Sequence, residues 1–597
     1  MYVLGLSCYY HDSAACLLED ERVVAAAEEE RFSREKHDSS FPDQAVEYCL
    51  DEAGITIDDV DYVGFYEKPI EKFDRILETF LTVAPFGFGS FIQGMPLWIR
   101  KRLWMRGDIR TRLGYDGEVL FGGHHQSHAA STFFASPFDE AAVLTIDGVG
   151  EWNTTTWGVG EDNGVEIREA IDFPHSIGLL YSAFTYYLGF EVNNGEYKVM
   201  GLSSYGDPVY EDRIYDELID VKDDGSFRLN MDYFGYLGKL RMINDDFESL
   251  FGHPRREQDT DIEDHHFDIA ASVQSVTEDL LLGLAQATYD RTGKENLCMA
   301  GGVALNSVAN GRILEETPFE DVFIQPAAGD DGTAYGVAAD IYYQALDNPR
   351  TVPADRRERM AATYLGPAYS AEETRAAIEA EDDVAATAFG STNELLERTA
   401  ALLSEGNVVG IYQGRMEWGP RALGNRSILA DPRDAEMQDT VNMKIKFREG
   451  FRPFAPTVLA DHATDYFDAP RESPYMLFVF DVHEDRREEI PAVTHVNGTS
   501  RIQTIAREDN AVYYDLIDAF RERTGTPVVL NTSLNRRGEP IVNTPANAID
   551  CFTGTNMDYM CFPDVNTLVA DAPEGTEATE GVPESESEGV SVAPNAE

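Results

Sequence analysis

Two histidines, His124 and His128, stand four residues apart in GGHHQSHAA. On a helix starting near Gln126 or a little earlier, that spacing puts them one turn apart on one side. Two carboxylates have the type and place to complete a site. Asp147 closes VLTID just before a GVG turn, and Asp331 stands in GDDGTA after FIQP, at the expected start of a helix. Carboxylates at strand ends face the crevices between lobes. Two imidazoles and two carboxylates suit iron, manganese or zinc, in that order. No Glu stands between the histidines as in HExxH, which disfavours metalloprotease chemistry. The residues alone leave a second reading open, in which Asp331 caps a helix and both histidines are hydrogen-bonded core residues. His125 is adjacent, faces another direction and is available to a ligand phosphate.

A second group is cationic. Residues 415–452 hold Arg415, Arg421, Arg426, Arg433, Lys444, Lys446, Arg448 and Arg452, in a chain with 107 acidic and 48 basic residues and a net charge of -59. Guanidinium forks match phosphate and carboxylate oxygens, so phosphate-bearing small substrates are expected here. Surface salt bridges to nearby carboxylates are the plain alternative. The strongly negative surrounding field argues against nucleic acid, and against anionic membranes unless a basic site is locally focused. Downstream, NTSLNRRGEP offers Asn531 and Ser533 as neutral hydrogen-bonding groups, unless both only cap their own turn. HVNGTSR offers Arg501 as an anion clamp.

These groups need elements to position them. YVLGLS, AACLLED and ERVVAAAEEERF read as the strands of an antiparallel meander. DQAVEYCLDEAG is a helix ending at Gly54, DYVGFYE the next strand, and 68–115 is mostly helical. EVLFGGHHQSHAASTFF gives strand, turn and helix. NLCMAGGVALN gives a strand, the Gly301–Gly302 turn and a helix start, and such turns let backbone approach phosphate closely. A meander at the start with glycine turns at later strand ends points to an actin/hexokinase-type core, whose two similar halves face each other across the ligands. The polar, Pro-containing DNPRTVPADRRE marks a domain boundary. Expected units are 1–350, a linker at 351–363, a second α/β domain at 364–570, and an acidic disordered tail at 571–597.

Length demands more than one core. Six cysteines without a CxxC pair exclude a disulfide framework and a thiolate zinc knuckle. No signal peptide or clean apolar span is seen; APFGFGSFIQGMPLWI is broken by Gly and Pro and reads as a lid or packing surface. A soluble, cytoplasmic protein is expected, with no nucleic-acid or membrane partner. Its acidic surface fits a salt-rich, halophilic cytosol in which ionic strength screens self-repulsion. Self-association as a homodimer fits an enzyme of this size, with no residue pattern to set its symmetry.

Across roughly residues 1–565 the chain resembles O-carbamoyltransferases of the nodulation-protein NodU and cephamycin-carbamoylase type. The stretches that carry the resemblance include GLSCYYHDSAACLL, EEERFSREKHDSSFP, GGHHQSHAAS, LTIDGVGEWNTT, LCMAGGVALNSVAN, GRMEWGPRALGNRSIL, IKFREGFRPFAP, HVNGTSR and NTSLNRRGEPIV. The resemblance implies an α/β fold: a two-lobed, ribonuclease H-like ATPase core (the ASKHA type), similar to that of tRNA threonylcarbamoyladenosine transferases, then a YrdC-like α/β domain. It implies that ATP, with magnesium, and carbamoyl phosphate form carbamoyl adenylate, whose carbamoyl group passes to a hydroxyl of a sugar or small metabolite. It places metal ligands, iron first, on His124, His128, Asp147 and Asp331. Adenylate-forming contacts fall on Arg421, Lys446, Arg452, Arg501, Asn531 and Ser533, a phosphate-proximal lysine on Lys36, and a nucleotide turn on Gly301, Gly302 and Asn306. His11 matches the histidine acting near the acceptor hydroxyl. Competing readings are an ATP-dependent small-molecule kinase and a tRNA threonylcarbamoyl transferase; the acidic charge and the fused second domain speak against the latter.

Overall fold

The computed structural model describes residues 1–85, 87–239, 241–352 and 363–572. The opening meander forms as the alternation of apolar residues and turns dictates. Tyr2–Ser7 pairs antiparallel with Ala14–Glu19, which pairs antiparallel with Arg22–Glu28. Tyr62–Phe65 and Glu118–Phe121 then extend the same sheet in parallel on the other side of Tyr2–Ser7. A second sheet repeats this plan. Glu140–Ile146 carries antiparallel Asn153–Glu161 and Gly164–Asp172 on one side, and parallel Asn296–Ala300 and Asp321–Ile324 on the other. This duplication is the two-lobed actin/hexokinase-type core.

Helices His124–Phe133 and Thr333–Ala339 lie between the sheets and cross closely. A Cβ on Gly336 would fall 1.9 Å from Ser127 O, and one on Gly5 1.9 Å from Ala334 O. Only glycine permits these approaches, and they fix the histidine helix against the first sheet. An insertion of three helices, Pro69–Val83, Phe88–Arg100 and Met105–Leu113, sits between the fourth and fifth strands. Its outer face leaves Ile70, Leu81, Phe88, Ile99 and Trp104 exposed.

The second domain is built on one eight-stranded sheet. Its order is Val384–Ala388, Thr567–Asp571, Tyr559–Phe562, Val409–Tyr412, Arg426–Ala430, Val528–Ser533, Ala455–Leu459, Gln503–Ile505. Side chains alternate across it. Val529 joins Leu395, Leu516 and Phe520 under helices Thr392–Ser404 and Ala511–Thr524, whereas Val528 and Leu530 join the core shared with Ile549 and Phe552 of Pro545–Thr553.

The two domains are tied by half-buried polar contacts. Arg415 donates to Val24 O at 3.1 Å, and Arg34 donates to Ile541 O at 2.6 Å and Pro540 O at 2.9 Å. Most of the expected linker at 351–363, and the expected tail beyond Ala572, lie outside the described residues; Asp571 itself ends a strand, paired with Val384. Among the described residues no helix is long and apolar enough to cross a membrane.

Candidate active site

The histidine helix begins at His124, so the pair sits in its first two turns. Its N-terminus is capped from afar: both Glu151 oxygens accept from the His124 N–H, at 3.0 and 3.1 Å. A carboxylate there satisfies an orphan donor and the helix dipole together. His124 Nε2 lies 3.0 Å from Asp147 Oδ2 and 3.6 Å from Asp330 Oδ1, and His128 Nε2 lies 3.4 Å from Asp330 Oδ1. One donor atom from each of these four buried residues falls within 4.8 Å of the others.

The fourth residue is Asp330, which corrects the expectation of Asp331. The two share a short 3-10 turn, Asp330–Gly332, so their side chains diverge. Asp331 is turned toward the field of Glu28 and Asp12; its burial and those charges push its pKa well up, and it accepts from the Gly332 N–H. Asp330 behaves oppositely. Burial works to raise its pKa, but His11 and His124 hold it low. Burial likewise works to lower the His124 pKa, and Asp330, Asp147 and Glu151 raise it to about 9. His125 is pushed down to about 3 by burial and by its two histidine neighbours. Its Nδ1 is 2.6 Å from Thr145 Oγ1 and its Nε2 has no partner.

The cluster fits a divalent metal. Neither Asp330 oxygen and neither His128 ring nitrogen makes a hydrogen bond, although all are buried. Buried polar atoms left open in this way, two imidazoles facing two carboxylates, are what a cation would satisfy. The glycine turn serves this cluster. Gly301 sits at φ +98, where a Cβ would meet Ile146 O at 2.2 Å, and the Gly302 N–H donates to Asp147 Oδ1 at 3.0 Å. Asn306 is occupied: its Oδ1 caps helix Ser307–Glu316 and accepts from Gln274.

His11 stands at the edge of the cluster, Nε2 3.7 Å from Asp330 Oδ2. Asp12 bridges two imidazoles, 2.8 Å to His11 Nδ1 and 2.7 Å to His37 Nδ1. Burial alone would lower the His11 pKa; Asp330 and Asp12 raise it to about 10. Asn194 Oδ1 lies 3.1 Å from His37 Nε2 and accepts from Lys36 Nζ at 3.2 Å. Lys36 lies 5.7 Å over the Tyr197 ring, and the Arg452 guanidinium 5.0 Å over the same ring. A continuous chain of contacts therefore runs from the metal cluster to the second domain.

There the basic island divides. Arg426 is fully buried and donates to Gln413 O, Asn425 O, Pro367 O and Gly414 O; Arg433 pairs with Asp431, and Arg415 ties the domains. Arg421, Lys446, Arg448 and Arg452 converge with Arg501. Arg501 is held well below the arginine range by burial and by Arg421, Arg448 and Arg452. Burial, with Arg452, lowers Arg448 to about 9, and burial lowers Arg421 to about 10. Burial, then Arg448, Arg452 and Lys36, depress Lys446, whose ammonium meets only the neutral oxygens of Ser533 and Asn535. A carboxylate, Glu449, touches the rim, 3.9 Å from Arg452. Asn531 is pinned by donating to Ala422 O, Thr457 Oγ1 and Gln503 Oε1, which leaves its buried Oδ1 open.

Sequence reasoning missed Asp330, Asp12, His37, Glu151 and Tyr197 as members of this arrangement. The DD pair and the HDS run were visible signals for the first two. Nothing local marks Tyr197.

Comparisons with known proteins give family matches, relatives and distant folds. Family models described as carbamoyltransferase N-terminus and carbamoyltransferase C-terminus match residues 2–339 and 400–568. A Synechocystis sp. protein, sll1178, itself uncharacterised, is 50% identical over 587 residues, covering 94% of this chain and 95% of that one. Nodulation protein NolNO of Sinorhizobium fredii is 38% identical over 564 residues, 92% of this chain and 78% of that one. Among solved structures, HypF of T. kodakarensis aligns at TM-score 0.30 and 13% identity, over 58% of this chain and 48% of that one.

Proposed function

The chain belongs to the carbamoyltransferase family, and from that premise we propose that it uses carbamoyl phosphate and ATP to carbamoylate a hydroxyl of a sugar or other small metabolite. The observation that carries this is the cluster of Arg421, Lys446, Arg448, Arg452 and Arg501. In a chain with more than twice as many carboxylates as cations, these groups face one another, and among the described residues Glu449 is the carboxylate paired at their rim. Mutually repelling, desolvated cations are costly unless an anion completes them.

In this reading the guanidinium forks hold the phosphates of carbamoyl phosphate and ATP and stabilise the charge that develops on their oxygens. Water releases carbamate and phosphate from carbamoyl phosphate. Carbamate displaces pyrophosphate from ATP, with magnesium accompanying the nucleotide, and carbamoyl adenylate results. The open Asn531 Oδ1 is suited to accept from the carbamoyl or adenine amino group. Passing this labile species on within the protein would spare it from water. A cation held by Asp330 would offset the charge that raises the His11 pKa, and the neutral ring takes the proton as the acceptor hydroxyl attacks the carbamoyl carbon and AMP leaves. Asp12 holds the His11 ring through Nδ1, which leaves Nε2 to face the acceptor. His124, His128, Asp147 and Asp330 would hold a divalent metal, iron being the first expectation, whose service when bound is to polarise substrate oxygens.

Two results test this reading. Metal-replete protein given ATP and carbamoyl phosphate should release pyrophosphate; ADP in its place would identify a kinase instead. His11→Asn should retain pyrophosphate release and lose about 100-fold or more in carbamoyl transfer. Equal loss of both half-reactions would remove His11 from proton transfer.

A protonic signature should accompany substrate binding. Lys446 is depressed by burial and by neighbouring cations, so an arriving phosphate raises its pKa and binding takes up protons. Titration calorimetry of carbamoyl phosphate in buffers of different ionisation enthalpy should show net proton uptake, and affinity that falls as pH rises. Net proton release on binding would contradict a phosphate seated at Lys446.

A further inference from the structure

We propose that Arg75 binds an anionic group, a phosphate, sulfate or carboxylate, carried by the hydroxyl compound that accepts the carbamoyl group. The proposal rests on the transfer reading above and deepens it by naming the acceptor's charge.

Arg75 lies on helix Pro69–Val83 of the insertion, with its guanidinium 4.9 Å over the Phe173 ring. It is 8% exposed, its Nε has no hydrogen-bond partner, and it forms no ion pair among the described residues. The carboxylates nearest in its field are both engaged elsewhere. Glu67 pairs with Lys72, and Glu151 accepts from the N–H groups of His124 and Lys68. Burial of a guanidinium without a partner is unfavourable, and carboxylates are abundant in this chain. Selection of such a position is intelligible if a ligand supplies the missing anion, for which the planar fork is the matched partner.

The position is beside the acceptor end of the site. Tyr10 lies within the fields of Arg75, Asp330 and Asp147 alike. Its ring centroid is 4.6 Å from that of His11. The chain of contacts to the cationic cluster of the second domain leaves His11 by the opposite neighbour, through Asp12, His37 and Asn194. An anion at Arg75 is therefore a separate one from the phosphates held by Arg421, Arg452 and Arg501.

The test uses the full-length, metal-replete protein with ATP and carbamoyl phosphate. Paired acceptors share a sugar ring and differ at one carbon, neutral in one member and anionic in the other: N-acetylglucosamine against its 1-phosphate, and glucose against glucuronate, with transfer scored only at hydroxyls that both members carry. Transfer is referred to pyrophosphate release by the same preparation, so that a folding defect cancels. The anionic member of a pair should be preferred about tenfold or more in kcat/KM. Arg75→Gln should erase that preference mainly through KM, and Arg75→Lys should restore part of it. A preference untouched by Arg75→Gln overturns the proposal. So does equal loss with neutral and anionic acceptors, which would move the anion to the adenylate. A second arm needs no acceptor: crystals soaked in selenate should show an anomalous peak at the Arg75 guanidinium, absent in Arg75→Gln. Selenate at the second-domain cluster alone would overturn the assignment. Failure to release pyrophosphate would sink the transfer reading while leaving this arm to decide Arg75.

Discussion

Replacing Asp330 by asparagine is expected to strip the metal from the protein, whereas the same change at Asp331 is expected to keep it. Asp330 holds both oxygens open within reach of His124 and His128, and the charges of His11 and His124 keep it ionised. An amide presents one weaker oxygen and no charge to a divalent cation, so affinity should fall by about 100-fold or more. Asp331 is already held toward its neutral acid by burial and by Glu28 and Asp12, so an amide of the same shape alters little there. Elemental analysis after dialysis should show about one metal per chain in the parent and in Asp331→Asn, and almost none in Asp330→Asn. Carbamoyl transfer should follow the metal, while circular dichroism stays that of the parent. Loss of metal from Asp331→Asn alone would reverse the assignment of the fourth ligand.

That one-residue difference shows where sequence is legible and where it stops. The four-residue spacing of His124 and His128 carries to the structure because a helix has a fixed period. Asp147 carries because a strand end before a glycine turn has one direction to face. In GDDGTA the choice fails, since neighbours in a 3-10 turn point about 120° apart and the spacing names neither. The basic island was legible as charge in an acidic chain. Its division was not: Arg426 and Arg421 are five residues apart, and only the tertiary packing turns one onto backbone carbonyls and the other toward Arg501. Tyr197 and Asn194 join Lys36 to this cluster across more than 150 residues of sequence, a relation no local pattern encodes. The first meander was readable from alternation; its repeat was not, because the third strand, Gly164–Asp172, opens a long stretch that is otherwise rich in helices and separates it from Asn296–Ala300.

Replacing Arg421 by methionine is expected to make the free protein more stable and to abolish pyrophosphate release. Burial lowers its pKa to about 10, its Nε has no partner, and its guanidinium adds to the repulsion on Arg501. A side chain of similar reach without the charge removes both penalties while keeping apolar contact. Stability should therefore rise by about 1 kcal/mol, as for other substitutions that relieve strain held in a functional site. Catalysis should move the other way. The charge is most useful when pyrophosphate is leaving and its oxygens gain negative charge, and loss of one such preorganised donor costs about 100-fold to 1000-fold. The sign of each change is the point. A structural arginine gives parallel loss of Tm and rate, as expected for Arg426, whose guanidinium satisfies four backbone carbonyls. Arg421 should give opposed changes, and saturating carbamoyl phosphate should raise the Tm of the parent more than that of the variant. A variant that is both less stable and normally active would mean that the cluster is held open for no anion.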